Sequence, residues 1–282
     1  MLDPKELAEI RDTALEIARE AGTLLMSGWR KSPTVSKKGA IDLVTDFDLR
    51  CETLLRERLA RAFPSHTVVA EEGAAGDTVD TRPVWYVDPI DGTTNFAHGH
   101  FFFAVSLGLT VQREPILGVV HAPALATTYS GAVGLAALGI PATRASAGAS
   151  DEPCVPSRTA TLDDALLATG FPYDRRTSAE NNLREFTAMK LRTQGIRRCG
   201  AASLDLCLVA DGTYDGYWEQ KLAPWDIAGG AAIVRAAGGR VTGYDGMPLD
   251  LGAGRAIASN GVLHARLVAA VAEARATEAA RQ

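Results

Sequence analysis

Trp85-Tyr86-Val87-Asp88-Pro89-Ile90-Asp91-Gly92-Thr93-Thr94-Asn95-Phe96 reads as a strand running into a chemical site. Trp, Tyr and Val favour a pleated, half-buried surface, so 84–87 is a strand that ends at Asp88. Asp88 and Asp91 follow, three apart. Carboxylates at a strand end are ligands for hard divalent cations such as Mg²⁺. Gly92 then precedes two hydroxyl residues at a helix start, where free backbone N–H groups seat a phosphate. No Lys or Arg lies between Arg82 and Arg113, so the chain near Asp88 and Asp91 offers them no cation. Buried carboxylates need a partner, and a metal ion satisfies them. The stretch points to metal-assisted phosphate chemistry.

The flanking sequence alternates helices and strands. Leu7, Ile10, Ala14, Ile17, Ala21 and Leu24 recur at helical spacing and predict a helix from Pro4 to Trp29. A second helix is expected from Asp46 to Ala62. A strand at 66–70 runs into Glu71, and the next into Asp88, so the two acidic ends are candidates for neighbours in one sheet. Residues 101–111 and 116–121 read as a hairpin turning at Glu114-Pro115. From Ala122 to Arg158 the chain is rich in Gly, Ala, Ser and Pro and reads as a partly stranded connection. Beyond it come strands at 166–169, 195–198, 214–219 and 240–242. Helices are expected at 181–191, 202–210, from Asp226 as a cap to Ala237, and at 263–278. Strands and helices mix throughout, which predicts an α/β or α+β layered fold.

The chain has 282 residues, enough for one large or two small domains, and no fixed-period repeat. A net charge of −5 excludes a general nucleic-acid binder, which needs a basic field. It leaves room for a phosphorylated metabolite, because bound metal supplies local positive charge. No apolar run approaches the roughly 20 residues of a membrane span, and the N-terminus has no leader pattern. The four cysteines show no CxxC spacing and read as reduced thiols of a cytoplasmic protein. An EF-hand fails, because counting from Asp88 puts Ile90 at position three and Gly92 at five. GxxxxGK[ST], HExxH and GxSxG are absent.

Three further acidic positions, Asp48, Glu71 and Asp226, lie at or near element ends rather than on a polar helix face. With them the motifs match a family. Asp88-Pro-Ile-Asp-Gly-Thr-Thr-Asn-Phe96 and Trp225-Asp-Ile-Ala-Gly-Gly230, running on to Gly239, resemble the two signatures of the inositol monophosphatase family. Asp42–Asp48, Ala70–Gly73, Gly200–Asp205 and Tyr214–Glu219 fit in the same order. The resemblance covers about residues 5 to 265 and places the chain in the lithium-sensitive, magnesium-dependent phosphatase superfamily.

That resemblance implies an α+β fold, a layered αβαβα sandwich of two sheets with helices between and outside. It implies one catalytic unit over 1–282, with subdomains at about 1–150 and 151–282. By similarity, Glu71, Asp88, Asp91, Asp226 and the Ile90 carbonyl bind two or three Mg²⁺. Thr93, paired with Asp48 and aided by Glu71, activates a water. Gly92 and Thr93 hold the phosphate, with Asp91 and Asp226 beside it. Glu219 and Gly200-Ala201-Ala202 meet the alcohol part, and Lys37 lies in a mobile loop over the site. The implied substrate is a small polyol or sugar phosphate, myo-inositol 1-phosphate first. Fructose 1,6-bisphosphate, an NADP-type 2′-phosphate and a non-catalytic regulatory role on the same fold are the alternatives. Thr94 stands where nucleotide-bisphosphate and histidinol-phosphate relatives carry Lys, which favours the inositol-phosphate branch. The family also implies a cytoplasmic homodimer inhibited by lithium. Tyr173, Asp174 and Arg175 are candidates for the substrate mouth, whereas His98, His100 and Trp225 read as packing residues.

Overall fold

Apolar residues three and four apart drive α1, Pro4–Gly28, whose first turn is capped by the Asp3 carboxylate on Lys5 N–H at 2.9 Å. In the computed structural model, residues 3–31, 33–37, 43–73 and 82–276 are described. Strands β1 (Val35–Lys37) and β2 (Leu43–Thr45) form a small antiparallel ribbon. Thr45 then caps α2, Asp46–Ala62, in a reciprocal box with Asp48.

Seven strands make the first sheet, in chain order: β3 (Thr67–Ala70), β4 (Val84–Asp91), β5 (Ala104–Val111), β6 (Glu114–Ala122), β7 (Thr127–Ala132), β8 (Thr143–Ser146) and β9 (Glu152–Pro153). β3 and β4 are parallel and the rest antiparallel. Between β4 and β5 lies the short helix α3, Thr93–Ala97. The second sheet has the order β11-β10-β12-β14-β13, with β10 (Leu166–Thr169), β11 (Gly195–Arg197), β12 (Gly216–Gln220), β13 (Arg240–Thr242) and β14 (Arg255–Ser259). The remaining helices are α4 (Leu183–Lys190), α5 (Ala202–Ala210), α6 (Pro224–Ala236) and α7 (His264–Ala276).

Alternation along β4 explains the layering. Trp85 and Val87 join the apolar cluster under α1 and α2, while Val84 and Tyr86 face α5 and α6. Both faces of β4 are covered, so all eight of its residues are buried. In the second sheet Tyr217, Ala256 and Ala258 face α5 and α6, and Trp218 and Ile257 face α7. The order is α1/α2, seven-stranded sheet, α5/α6, five-stranded sheet, α4/α7: the αβαβα sandwich implied by the motifs.

Close approach of α6 to the first sheet depends on glycine. A Cβ on Gly118 would sit 2.0 Å from the Gly229 carbonyl oxygen, and one on Gly108 2.5 Å from Gly229 N. This contact places the start of α6 beside the end of β4.

Four local expectations need correction. The hairpin turns at Gln112-Arg113, with φ of 52° and 67°, and Glu114-Pro115 lie inside β6. A two-residue turn with both central residues left-handed matches the strand twist, which a turn at Pro115 would not. β4 runs on through Asp91 instead of stopping at Val87. α4 starts at Leu183 because Asn182 is left-handed and its buried amide donates to Thr169 Oγ1 and the Gly170 carbonyl. Asp226 is the third residue of α6, not its cap; Pro224 opens the helix and Ala223 caps it. The C-terminal helix is described to Ala276; its expected last residues, 277 and 278, lie outside the described residues.

Candidate active site

β4 carries the two carboxylates through a bulge. Asp88 pairs with Ser106 and Asp91 with Ala104, so three steps on β4 oppose two on β5. In a regular strand residues three apart face opposite sides; the extra residue lets Asp88 and Asp91 serve one cleft. Pro89, which has no N–H to donate, lies in the bulge, where proline is tolerated. Asp88 Oδ1 accepts Ile90 N–H at 2.9 Å. Parallel pairing of Ala70 with Val87 brings Glu71 alongside, its N–H on the Val87 carbonyl at 3.3 Å.

Asp91 is held from 111 and 112 residues away. Ala202 N–H donates to Oδ1 at 3.0 Å, and Ser203 donates to Oδ2 through its N–H at 2.7 Å and its hydroxyl at 2.5 Å. These donors stand at the N-terminus of α5, where unsatisfied N–H groups favour an anion. Asp226, in the first turn of α6, accepts Ala223 N–H at 2.7 Å.

Gly92 caps α3 with φ of 94°, a conformation glycine adopts without strain. Thr93 Oγ1 lies 2.9 Å from Asp48 Oδ1 and 3.0 Å from the Ile90 carbonyl. Asp48 is fully buried, and its other oxygen accepts Thr45 N–H at 2.7 Å and Thr45 Oγ1 at 2.6 Å. The N-cap of α2 therefore holds the carboxylate behind Thr93.

A cleft of about 510 Å³ collects the predicted residues. Glu71, Asp88, Ile90, Asp91, Gly92, Thr93, Gly200, Ala202, Glu219 and Asp226 all line it. Asp48 stands behind the wall, and Ala201 is buried at the cap of α5 beneath Gly92. Lys37 belongs to β1, and its side chain lies outside the described residues. Tyr173 and Arg175 line the mouth, whereas Asp174 turns to Lys221. Trp225 packs on the core and also lines the cleft.

The electrostatics are those of a crowded acid wall. Burial first, then the charges of Glu71, Asp91, Asp226 and Asp48, push the Asp88 carboxyl well above the usual range. Asp226 is pushed up in the same way, by burial, Glu71 and Asp91. Asp91 is raised by burial in spite of its Ser203 and Ala202 donors. Burial also raises Asp48, against the pull of Thr45 and Thr93. Among the described residues no three such groups form a closed metal cage. The donors nevertheless fit a hard divalent cation: charged oxygens, sunk in protein, each worsened by its neighbours and relieved by positive charge.

Glu219, on β12, faces this wall. Burial raises its carboxyl to about 7, while the Tyr217 hydroxyl on Oε2 and the charge of Arg198 hold it down. It packs against Gly170, where a Cβ would sit 2.0 Å from Oε1.

Comparison with known proteins identifies the family. The model of the inositol monophosphatase family matches residues 6–276. The chain belongs to the inositol monophosphatase family. It is an enzyme of that family, a phosphatase. It is 41% identical over 273 residues to an inositol-1-monophosphatase of Synechocystis sp., covering 96% of this chain and 92% of that one. A Neisseria meningitidis protein named putative Nus factor SuhB is 36% identical over 251 residues, 88% of this chain and 92% of the relative. The solved inositol monophosphatase of Anabaena (Nostoc) sp. superposes with a TM-score of 0.83 at 38% identity, covering 95% and 96% of the two chains. No described helix is long and apolar enough to cross a membrane.

Several residues of the site escaped sequence reading. Ser203 was visible only inside the Gly200–Asp205 motif, with no sign that it holds Asp91. Asn95 donates to the Phe102 and Cys199 carbonyls at 2.6 and 2.8 Å, joining the β4 and α5 sides. Arg198 and Lys221 also line the cleft. A basic pair before a glycine, Arg197-Arg198-Cys199-Gly200, was the one available signal for the former.

Proposed function

We propose that the protein is a Mg²⁺-dependent phosphomonoesterase for small polyol and sugar phosphates, with myo-inositol 1-phosphate the first candidate. The observation that carries this is one cleft holding an acid wall, a glycine-capped helix start and a Thr93–Asp48 pair. Glu71, Asp88, Asp91, Asp226 and the Ile90 carbonyl would hold two or three Mg²⁺. Bound there, the ions supply charge that acidifies water and offsets charge on the phosphate.

The chain's own groups do the rest. The N–H groups at Gly92 and Thr93 receive the phosphate oxygens, as free donors at a helix start do. Thr93 Oγ1 orients the attacking water in line with the ester bond. Asp48, with Glu71 as the second base at the wall, takes up the proton through Thr93; its raised carboxyl suits that task better than an ordinary aspartate. Water attacks phosphorus directly, the ester P–O bond breaks, and the leaving oxygen takes a proton from solvent water, so that the alcohol departs against Glu219 and Gly200-Ala201-Ala202. No covalent phosphoenzyme is required. Lys37, expected in a mobile loop, is instead the last residue of β1, and its contribution to the site is by family likeness.

The whole chain acts as one catalytic unit, with the first sheet supplying most metal ligands and the second the substrate side. By family likeness it works as a cytoplasmic homodimer, and lithium inhibits it. Fructose 1,6-bisphosphate and an NADP-type 2′-phosphate are the competing substrates. The Neisseria relative's name supports a second reading, a regulatory protein on this fold. The complete set of Asp48, Glu71, Asp88, Asp91, Thr93 and Asp226 favours turnover, since a scaffold has no use for all six. Phosphate release from a panel of esters, with Mg²⁺ and with chelator, tests the proposal. Release that depends on Mg²⁺ supports it, and none from any ester overturns it in favour of the regulatory reading.

A further inference from the structure

A second cavity, of about 570 Å³, shares no lining residue with the catalytic cleft. It opens between α1, the short turn Pro123–Leu125 after β6 and the loop that joins β8 to β9. Small-ligand sites span roughly 300–1,000 Å³ and combine an apolar lining with a few placed polar groups. This cavity has both.

α1 gives it one stripe. Gly22, Thr23 and Met26 lie three, four and seven positions on from Arg19, so all four share a helix face. Glycine at 22 leaves room for the ring of His121, because a Cβ there would sit 2.4 Å from His121 Nε2. His121, on β6, reaches its cross-strand partner on β7, with Nδ1 2.8 Å from Thr128 Oγ1. Burial, then the charge of Arg19, pushes the His121 pKa down to about 4, so its ring is neutral at pH 7. Met26, Pro123, Ala126 and Ala145 supply the apolar lining.

Two opposite charges interrupt that lining. Arg19 comes from α1 and Asp151 from the loop between β8 and β9. Among the described residues neither side chain is in an ion pair or a hydrogen bond, with the other or with any neighbour. The charges beside them are already paired: Glu20 holds Arg58 at 2.6 Å, and Glu152 holds Arg144 at 2.5 Å. A lone anion in the cavity gains from Arg19 and loses to Asp151, and a lone cation does the reverse. A ligand that carries both charges gains from both.

We propose that this cavity binds a small zwitterion with an apolar body, the chemistry of an aliphatic α-amino acid. Its carboxylate meets Arg19, its ammonium meets Asp151, and its side chain lies on the alanine-lined wall. His121 is neutral and adds no third charge. The site stands whether or not the catalytic cleft hydrolyses a phosphate ester.

The test is calorimetric titration of the full chain with L-leucine at millimolar concentrations. Beside it run glycine, which has both charges and no side chain, 4-methylpentanoate, which lacks the ammonium, and 3-methylbutylamine, which lacks the carboxylate. Leucine should bind best of these. Arg19→Ala and Asp151→Ala should each weaken it about 5-fold, the size of one exposed ion pair, and the double variant should lose more than either. Ala149→Trp, which fills the cavity from an exposed loop position, should abolish binding. Circular dichroism reports that each variant is folded. No leucine binding, binding that survives both charge substitutions, or 4-methylpentanoate bound as tightly as leucine overturns the site.

Discussion

Asp91→Asn tests the proposed metal site apart from the scaffold, and its effects can be sized in advance. Asp91 accepts three hydrogen bonds, one on Oδ1 and two on Oδ2. An amide has one acceptor oxygen, so in either orientation its NH₂ faces a donor of α5. One unmet buried donor costs about 1–3 kcal/mol. Against this, losing the Asp91 charge relieves Asp88 and Asp226, both of which it pushes up; each pKa unit relieved contributes about 1.4 kcal/mol. The terms oppose, so metal-free stability should change by less than the roughly 1–3 kcal/mol of the unmet donor alone. The metal response should differ sharply. At a Mg²⁺ concentration near 100 times its Kd, the native protein gains about 2.7 kcal/mol, or roughly 5 °C in Tm for a chain of this size. The variant, short of one charged ligand, should lose most of that shift together with its turnover. Thermal unfolding with Mg²⁺ and with chelator, run beside phosphate release, measures both. A variant with the full Mg²⁺ shift and full turnover would refute the metal assignment. The pH dependence adds a check. In metal-free protein the raised Asp88, Asp91 and Asp226 keep protons that the unfolded chain has lost, so stability falls as pH rises above 3.8. Removing one of the three should flatten that slope.

Thr93→Val keeps the shape and removes the hydroxyl facing Asp48, so kcat should fall by roughly 10²–10⁴ with KM little changed, and Thr93→Ser should restore it; a change confined to KM contradicts the water-orienting role. Glu219 in the folded protein holds its proton between 4.5 and about 7, where the unfolded chain does not, so its contribution to stability is lost as pH rises through that window. Tyr217→Phe removes a bond that holds this pKa down, and should move the corresponding limb of the KM–pH profile for myo-inositol 1-phosphate upward; an unmoved limb removes Glu219 from the substrate site. Gly118→Ala drives a methyl against the Gly229 backbone of α6, and no side chain can move to absorb it. Unfolding in urea should show a loss at or above the usual roughly 1–3 kcal/mol of overpacking, and activity should fall as well, because α6 carries Asp226; native stability would refute the close packing.

Local chemistry was legible in the residues themselves. The aromatic and β-branched run before Asp88, the glycine at 92 and the helical spacing of α1 and α2 concern neighbours a few positions apart. There propensity, capping and periodicity decide the outcome. The acidic positions were also readable, because carboxylates at element ends next to glycine do not fit a solvated helix face. Reading failed where a choice depended on distant partners. Proline alone suggested a turn at 115, yet the strand twist moved it to Gln112-Arg113. Asp226 looked like a cap until Pro224 and Ala223 took the helix start.

By itself the sequence determined which groups exist: hard carboxylate oxygens, the backbone N–H groups at Gly92 and Thr93, and the Thr93 hydroxyl. Tertiary structure alone decided that they meet. The bulge in β4 turned Asp88 and Asp91 to one cleft, α5 supplied three donors to Asp91 from across the sandwich, and glycine contacts set α6 close enough to deliver Asp226. The physical reason is that residues a hundred positions apart become neighbours only through the packing of both sheets on α5 and α6, and no local preference of the chain encodes that distance.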